Sequence, residues 1–499
     1  MSLPRELQEL QHRVEQTARR YGLTFFQTIF EVVDYAQMSQ LAAYTGFPVR
    51  YPHWRFGMEF EQLAKSYTYG LHKIYEMVIN NDPTYAYLLE GNTLLDQKLV
   101  MAHVYGHADF FKNNVFFDHT NRKMVDTMAN HATRVRRYMD RLGVERVEQF
   151  LDHCLTVEEL IDAQAAFREP YDGGRDLVED EEPVVVRPLP AKDYMQRYIN
   201  PPERIEEERT RLEHERDKRR RFPPAPRRDV LGFVLAHSPL ETWERDILGI
   251  VRDESYYFLP QRQTKIMNEG WASYWHTTML TEGLLDPGEV VDYADQHSGT
   301  TATSPGRLNP YKLGLELFRD IKYRWDTGRF GREWDGCDDM AERALWDRDT
   351  GRGTEKIYEV RRLYNDLTFI DEFLTEDFAR QQKLFVFAKD RRRDAYVITS
   401  REFDEVKRAL LFQLTNFGTP IIEVVDGNFA NRGELLLVHR HEGVELKLDW
   451  AREVLAALAL LWHRPVHVET IVGGRPKRLG HDGTNPTEAD VGATTEASR

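Results

Sequence analysis

Two histidines four residues apart, His103 and His107, lie in the stretch LLDQKLVMAHVYGHADFFKNNVFF, whose apolar spacing is helical. At that spacing both imidazoles leave one face of a helix about one turn apart, which suits two ligands of a single divalent ion. A packed helix can also satisfy such a pair with backbone or carboxylate partners. A second stretch, MNEGWASYWH, brings Glu269, with Ser273 and His276 on its face at four- and seven-residue spacing. His103, His107 and Glu269 would make a three-ligand set with one position left for water, as catalytic zinc has, and zinc is the ion these donors suit best. The alternative for Glu269 is that it caps its helix, a role acidic residues take near amino-terminal turns.

Water activation at such an ion needs a base. In the zinc-peptidase helix HExxH the glutamate beside the first histidine is that base, and here Val104 stands in its place. The base must then come from elsewhere in the fold. Glu59 and Glu61, in YPHWRFGMEFEQLAKSYTYGLHKIYEM, sit on a strongly aromatic helix, where a carboxylate either finds a cation or has a raised pKa. Either could replace the missing base; the competing expectation is an ion pair with Arg55 or Lys65. Asp109 and Asn113 follow His107 closely enough to orient its ring. Taken together, an HxxxH helix joined by a carboxylate from a second helix resembles the gluzincin type of metallopeptidase, whose second helix can carry a similar Glu-Gly-Trp-Ala stretch. No ExxH pair of the di-iron kind accompanies Glu241 and Glu244. Dinucleotide, P-loop and serine-hydrolase signatures do not stand out either.

The elements that must position these residues change character along the chain. Up to about Phe167 apolar residues recur every three or four positions, which predicts a helical domain over 1–168. Residues 169–228 are acidic, then proline-rich, then a charged run ERIEEERTRLEHERDKRRR, an insertion or linker whose centre could form a solvated helix and whose arginine-rich end could equally bind an acidic partner. Helical periodicity returns over 229–375, so both helical stretches are expected to form one domain. Over 376–473 the short β-branched runs KLFVFAK, AYVITS, IIEVVD, ELLLVHR and VHVETIV alternate with two helical stretches, a small α+β domain with a mixed or antiparallel sheet. The tail 474–499 has almost no large apolar residue and is expected to be disordered.

With 499 residues the chain is long enough for more than one core. Its net charge of -15 argues against a broad nucleic-acid interface. Two isolated cysteines suggest neither a disulfide framework nor a cysteine zinc site, and fit a reducing cytoplasm. The charged amino terminus lacks a secretory apolar stretch, and no apolar run approaches the ~18 residues of a transmembrane helix.

The long run from YPHWRFGMEFEQLAKSYTYGLHKIYEM through HVYGHADFFKNN, followed by MNEGWASYWH and NPYKLGLELFRDI, resembles the stage V sporulation protein R family over most of the chain. That resemblance implies a bacterial cytoplasmic protein needed for the peptidoglycan cortex of spores, or for stress response in bacteria that do not sporulate. It also implies partnership with a PrkA-type serine kinase and a protein with a von Willebrand factor-like domain. It implies no settled activity. Two functions follow as expectations: a metal-dependent hydrolase at His103, His107 and Glu269, and a non-catalytic adaptor in the kinase-linked complex.

Overall fold

The helical periodicity that opens the chain stops at Gly22, whose φ of 95° is open to glycine at little cost. The helix Arg5–Arg20 ends just before it. The β-branched run TIFEVV that follows is strand β1 (Thr28–Val33) rather than more helix. With β2 (Glu76–Ile79) and β3 (Thr84–Leu89) it forms a sheet ordered β1-β3-β2, in which β1 runs parallel to β3 and β2 antiparallel. The stretch expected to be helical to Phe167 thus contains a mixed sheet. Its strands are so short that, flanked by helices, their two-residue period was submerged in the longer helical one.

The computed structural model describes residues 3–68, 76–168, 186, 189–190, 192, 195–219, 222–390 and 394–491. The chain divides into two units, one of Met1–Arg137 with Tyr257–Gly418 and one of Tyr138–Tyr256 with Thr419–Arg499. The first is the helical body. Its core joins Phe30 and Leu88 of the sheet to Tyr105, Phe110, Trp271, Phe318 and Phe369 of the helices. Burial of aromatic and aliphatic area on this scale is the main force holding these helices together.

A hairpin of β4 (Val386–Asp390) and β5 (Ala395–Ser400) and the helix Phe403–Leu414 also belong to this unit. Phe403, Leu410, Leu411 and Leu414 pack against its core. The boundary expected at 375 therefore lies at 418 instead, because the apolar face of that helix is used here.

The second unit holds a five-stranded mixed sheet ordered β10-β9-β8-β7-β6, from β6 (Ile422–Phe429), β7 (Glu434–His439), β8 (Val466–Val472), β9 (Arg475–His481) and β10 (Pro486–Asp490). Only β7 and β8 pair in parallel, and a parallel pair needs a crossover, supplied by the helix Leu448–Trp462. That helix packs on Val144–Thr156, and its Leu461 carbonyl accepts from Ser238 Oγ at 2.5 Å. Residues 138–168 and 229–256, expected in the helical domain, thus belong with this sheet.

Much of the charged insertion lies outside the described residues. Pro202–Arg219 is a helix, and the insertion's end is tied to β6 by reciprocal Arg227–Val424 backbone bonds of 2.9 and 2.7 Å. The tail expected to be disordered is ordered in part: β9 and β10 occupy 475–490, while 492–499 lie outside the described residues. Gly473 and Gly474 have φ of 59° and 74°, and Val472 pairs with Arg475, so a two-glycine turn folds β9 back on β8. Backbone pairing and the buried Leu479 hold this hairpin where apolar content alone predicted none. Among the described residues no helix is long and apolar enough to cross a membrane.

Candidate metal centre

The helix Leu94–Asn113, the histidine helix, starts at a capping box in which Thr93 and Asp96 satisfy each other's backbone N–H groups. It is buried on nearly every side, so its polar side chains require partners. Lys98 Nζ, for example, reaches Glu289 at 2.6 Å. The helix Lys265–Met279, the carboxylate helix, has no side-chain cap from its own Thr264. Asp366 caps it from another helix, its two oxygens accepting from the Ile266 and Met267 N–H groups at 2.8 and 2.9 Å. Glu269 is therefore not the capping group of its helix.

Small residues set the spacing between these helices. A Cβ on Gly106 would stand 2.6 Å from the Ala272 Cα, and one on Gly270 would stand 2.4 Å from the Gly314 Cα in the helix Pro310–Thr327. The carboxylate helix is thus held in backbone contact with a neighbour on each of two faces.

This contact brings His103, His107 and Glu269 together: one donor atom from each lies within 4.8 Å of the others. The Nε2 atoms of both histidines are 3.5 Å from the same oxygen, Glu269 Oε2. The imidazole planes are nearly perpendicular, with centroids 4.6 Å apart. Each ring is fixed by its other nitrogen. His107 Nδ1 lies 2.9 Å from Asn268 Oδ1, an acceptor, so His107 Nδ1 carries the proton and Nε2 the lone pair. His103 Nδ1 lies 2.8 Å from His276 Nδ1, and the tautomer with the proton on His103 again leaves its Nε2 as an acceptor.

Burial, with His103 beside it, lowers the His107 pKa to about 4. Burial and the same neighbour hold His276 well below its ordinary value. With that His103 tautomer three acceptors face one another in a buried site, an arrangement a cation among them would stabilise. Two ligand atoms of a tetrahedral zinc, each ~2.1 Å from the ion, stand roughly 3.4 Å apart, close to the separations found. Glu269 Oε2 is buried and has no hydrogen-bond partner. The donor set fits zinc.

Family comparison agrees with the architecture. A family model described as SpoVR like protein matches residues 2–419, and one described as SpoVR-like C-terminal domain matches 420–473. The chain belongs to the SpoVR family. Its two family segments meet within a residue of the unit boundary between Gly418 and Thr419. A relative from Escherichia coli strain K12, named "uncharacterized protein YcgB", is 32% identical over 491 residues, covering 91% of this chain and 90% of its own. No solved structure matches.

Other site residues expected from this SpoVR sequence lie elsewhere. Glu59 and Glu61 are exposed on the helix Trp54–Thr68 and are not members of the cluster. Glu61 pairs with Lys65 at 3.1 Å, the ion pair weighed against a catalytic role. Asp109 does not orient His107. It is fully buried and accepts from Thr24 N–H, Trp271 Nε1 and Asn113 Nδ2 at 2.8, 2.9 and 3.2 Å, with Arg361 at 3.5 Å. Asn268 takes the orienting role, and its place next to Glu269 in the sequence was the signal available for it. His276 was visible as a face-mate of Glu269, but its contact with His103 depends on how two helices meet.

Proposed function

We propose that the first unit holds one divalent cation, zinc by preference, on His103, His107 and Glu269, and that the chain is a metal-dependent hydrolase of amide or related bonds. The observation that carries this reading is Glu269 Oε2, buried and 3.5 Å from the Nε2 atoms of both His103 and His107. Zinc would supply Lewis acidity there, lowering the pKa of water and polarising a carbonyl. The chain's own groups supply the rest. Asn268 and His276 hold the two rings, and burial lowers the His107 pKa to about 4, which keeps that imidazole neutral and free to ligate. The cluster has one carboxylate, which serves as ligand, so the base has to come from beyond these three residues.

The family resemblance extends this reading to cortex formation or stress response, with a PrkA-type kinase and a von Willebrand factor-domain protein as partners. A second reading, the adaptor, is favoured by Val104, which is fully buried where peptidases of the HExxH type carry their base. The discriminating experiment is metal analysis of protein purified without chelator. About one zinc per chain, lost in His103→Ala, supports the hydrolase. No stoichiometric metal, or content unchanged in His103→Ala, leaves the adaptor.

A further inference from the structure

Burial deepens along the face of the carboxylate helix that bears Glu269. Lys265, one turn before Glu269, is exposed. The Glu269 side chain is 18% exposed, and Ser273 and His276, one and two turns further on, are 2% and 4% exposed. Solvent therefore reaches the carboxylate from the Lys265 end, while the far end is closed against the histidine helix by the His103–His276 contact. Lys265 is the first residue of its helix, where the helix dipole disfavours a cation, and among the described residues it has no ion-pair partner. Its ammonium nevertheless acts on both neighbouring carboxylates. Burial pushes the Glu269 pKa up, and His103, His107 and Lys265 pull it down; burial raises the Asp366 pKa against the same ammonium. Asp366 is not its partner, because the Asp366 oxygens accept from the Ile266 and Met267 N–H groups.

With zinc on His103, His107 and Glu269 the charges at this mouth do not balance. Histidine ligates as the neutral imidazole, so a divalent ion with one carboxylate ligand keeps a positive charge, and Lys265 adds another beside it. This positive field stands in a chain whose net charge is -15. A partly exposed site of one sign draws ligands of the other. We propose that Lys265 is the specificity-determining residue of this centre and that the substrate carries a carboxylate close to the bond that is cut, an inference that rests on the metal-site reading above. Zinc takes the reacting carbonyl and the ammonium takes the carboxylate. Lys265 and Glu269 are four residues apart, roughly 6 Å along the helix axis, a gap that the flexible lysine stem and a short acyl chain bridge between them.

The test is titration of the zinc-loaded full chain with two zinc-binding hydroxamates, succinic monohydroxamate and butanohydroxamate, which differ by a carboxylate in place of the terminal methyl. Wild type, Lys265→Ala and Lys265→Arg are compared, and zinc content is measured in each. The expected result is that wild type prefers the succinyl compound roughly three- to tenfold, the gain from one charge-assisted contact at a partly exposed site. Lys265→Arg keeps the preference, Lys265→Ala loses it, high salt weakens it, and zinc content is the same in all three. Zinc-loaded wild type that binds both compounds equally, or a preference that survives in Lys265→Ala, overturns this inference and leaves the metal site standing. So does a preference lost in Lys265→Arg as well as in Lys265→Ala, which makes the charge irrelevant. Wild type that takes up no zinc overturns the metal-site reading and this inference with it.

Discussion

A Cβ on Gly106 of the histidine helix would stand 2.6 Å from the Ala272 Cα of the carboxylate helix. This backbone approach is what allows side chains from two separate helices to meet at Glu269 Oε2. Gly106→Ala should gain up to about 1 kcal/mol of helix propensity but force the helices apart, an overpacking cost of about 1–3 kcal/mol. The clash is with backbone, which cannot swing aside, so the net effect is expected to be destabilising. Thermal unfolding and zinc affinity should fall together; a variant that is more stable and binds zinc normally would remove this account of the geometry.

Glu269→Gln separates metal affinity from fold stability. The amide can donate to one of the histidine acceptors that a carboxylate oxygen can only repel. The chelated variant should therefore melt at or above the temperature of chelated wild type, while its zinc content drops. Melting scans with and without chelator, with zinc determination, check both halves.

His107→Ala should abolish stoichiometric zinc, whereas Glu61→Ala should leave it intact. Glu61 belongs to an exposed pair four residues apart on one helix, and such pairs contribute about 0.3–0.5 kcal/mol. An unchanged melting temperature in Glu61→Ala, within a degree or two, is the expected control. Loss of zinc in that variant would contradict its placement.

Asp366 gives a pH signature. Burial raises its pKa from 3.8 to about 7, against the lowering effect of the Ile266 and Met267 N–H bonds. The folded state therefore holds a proton over a range where the unfolded chain has released it. This contribution to stability is fully present below pH about 4 and is lost as pH rises through about 7. Stability of the chelated protein should decline across that window, and Asp366→Asn should flatten the decline. Denaturant unfolding at several pH values measures it; an unchanged slope in the variant would place the titration elsewhere.

By itself the sequence determined the division into a helical body and a smaller α+β part, because period and β-branched content are local properties that one face of a helix or strand reveals. It also determined the pairing of His103 with His107, which needs only helical geometry. Glu269 could be nominated because it shares a short pattern with its neighbours, and Gly473-Gly474 held a hairpin signal that the polar residues after it obscured. Tertiary structure alone decided the rest. Only packing shows that Asn268 and His276, rather than Asp109, hold the rings, and that Asp366 caps a helix about a hundred residues earlier in the chain. Those outcomes depend on which side chains meet across helix interfaces, where distance in space is unrelated to distance along the chain, and where a glycine's missing Cβ sets how close two backbones can come.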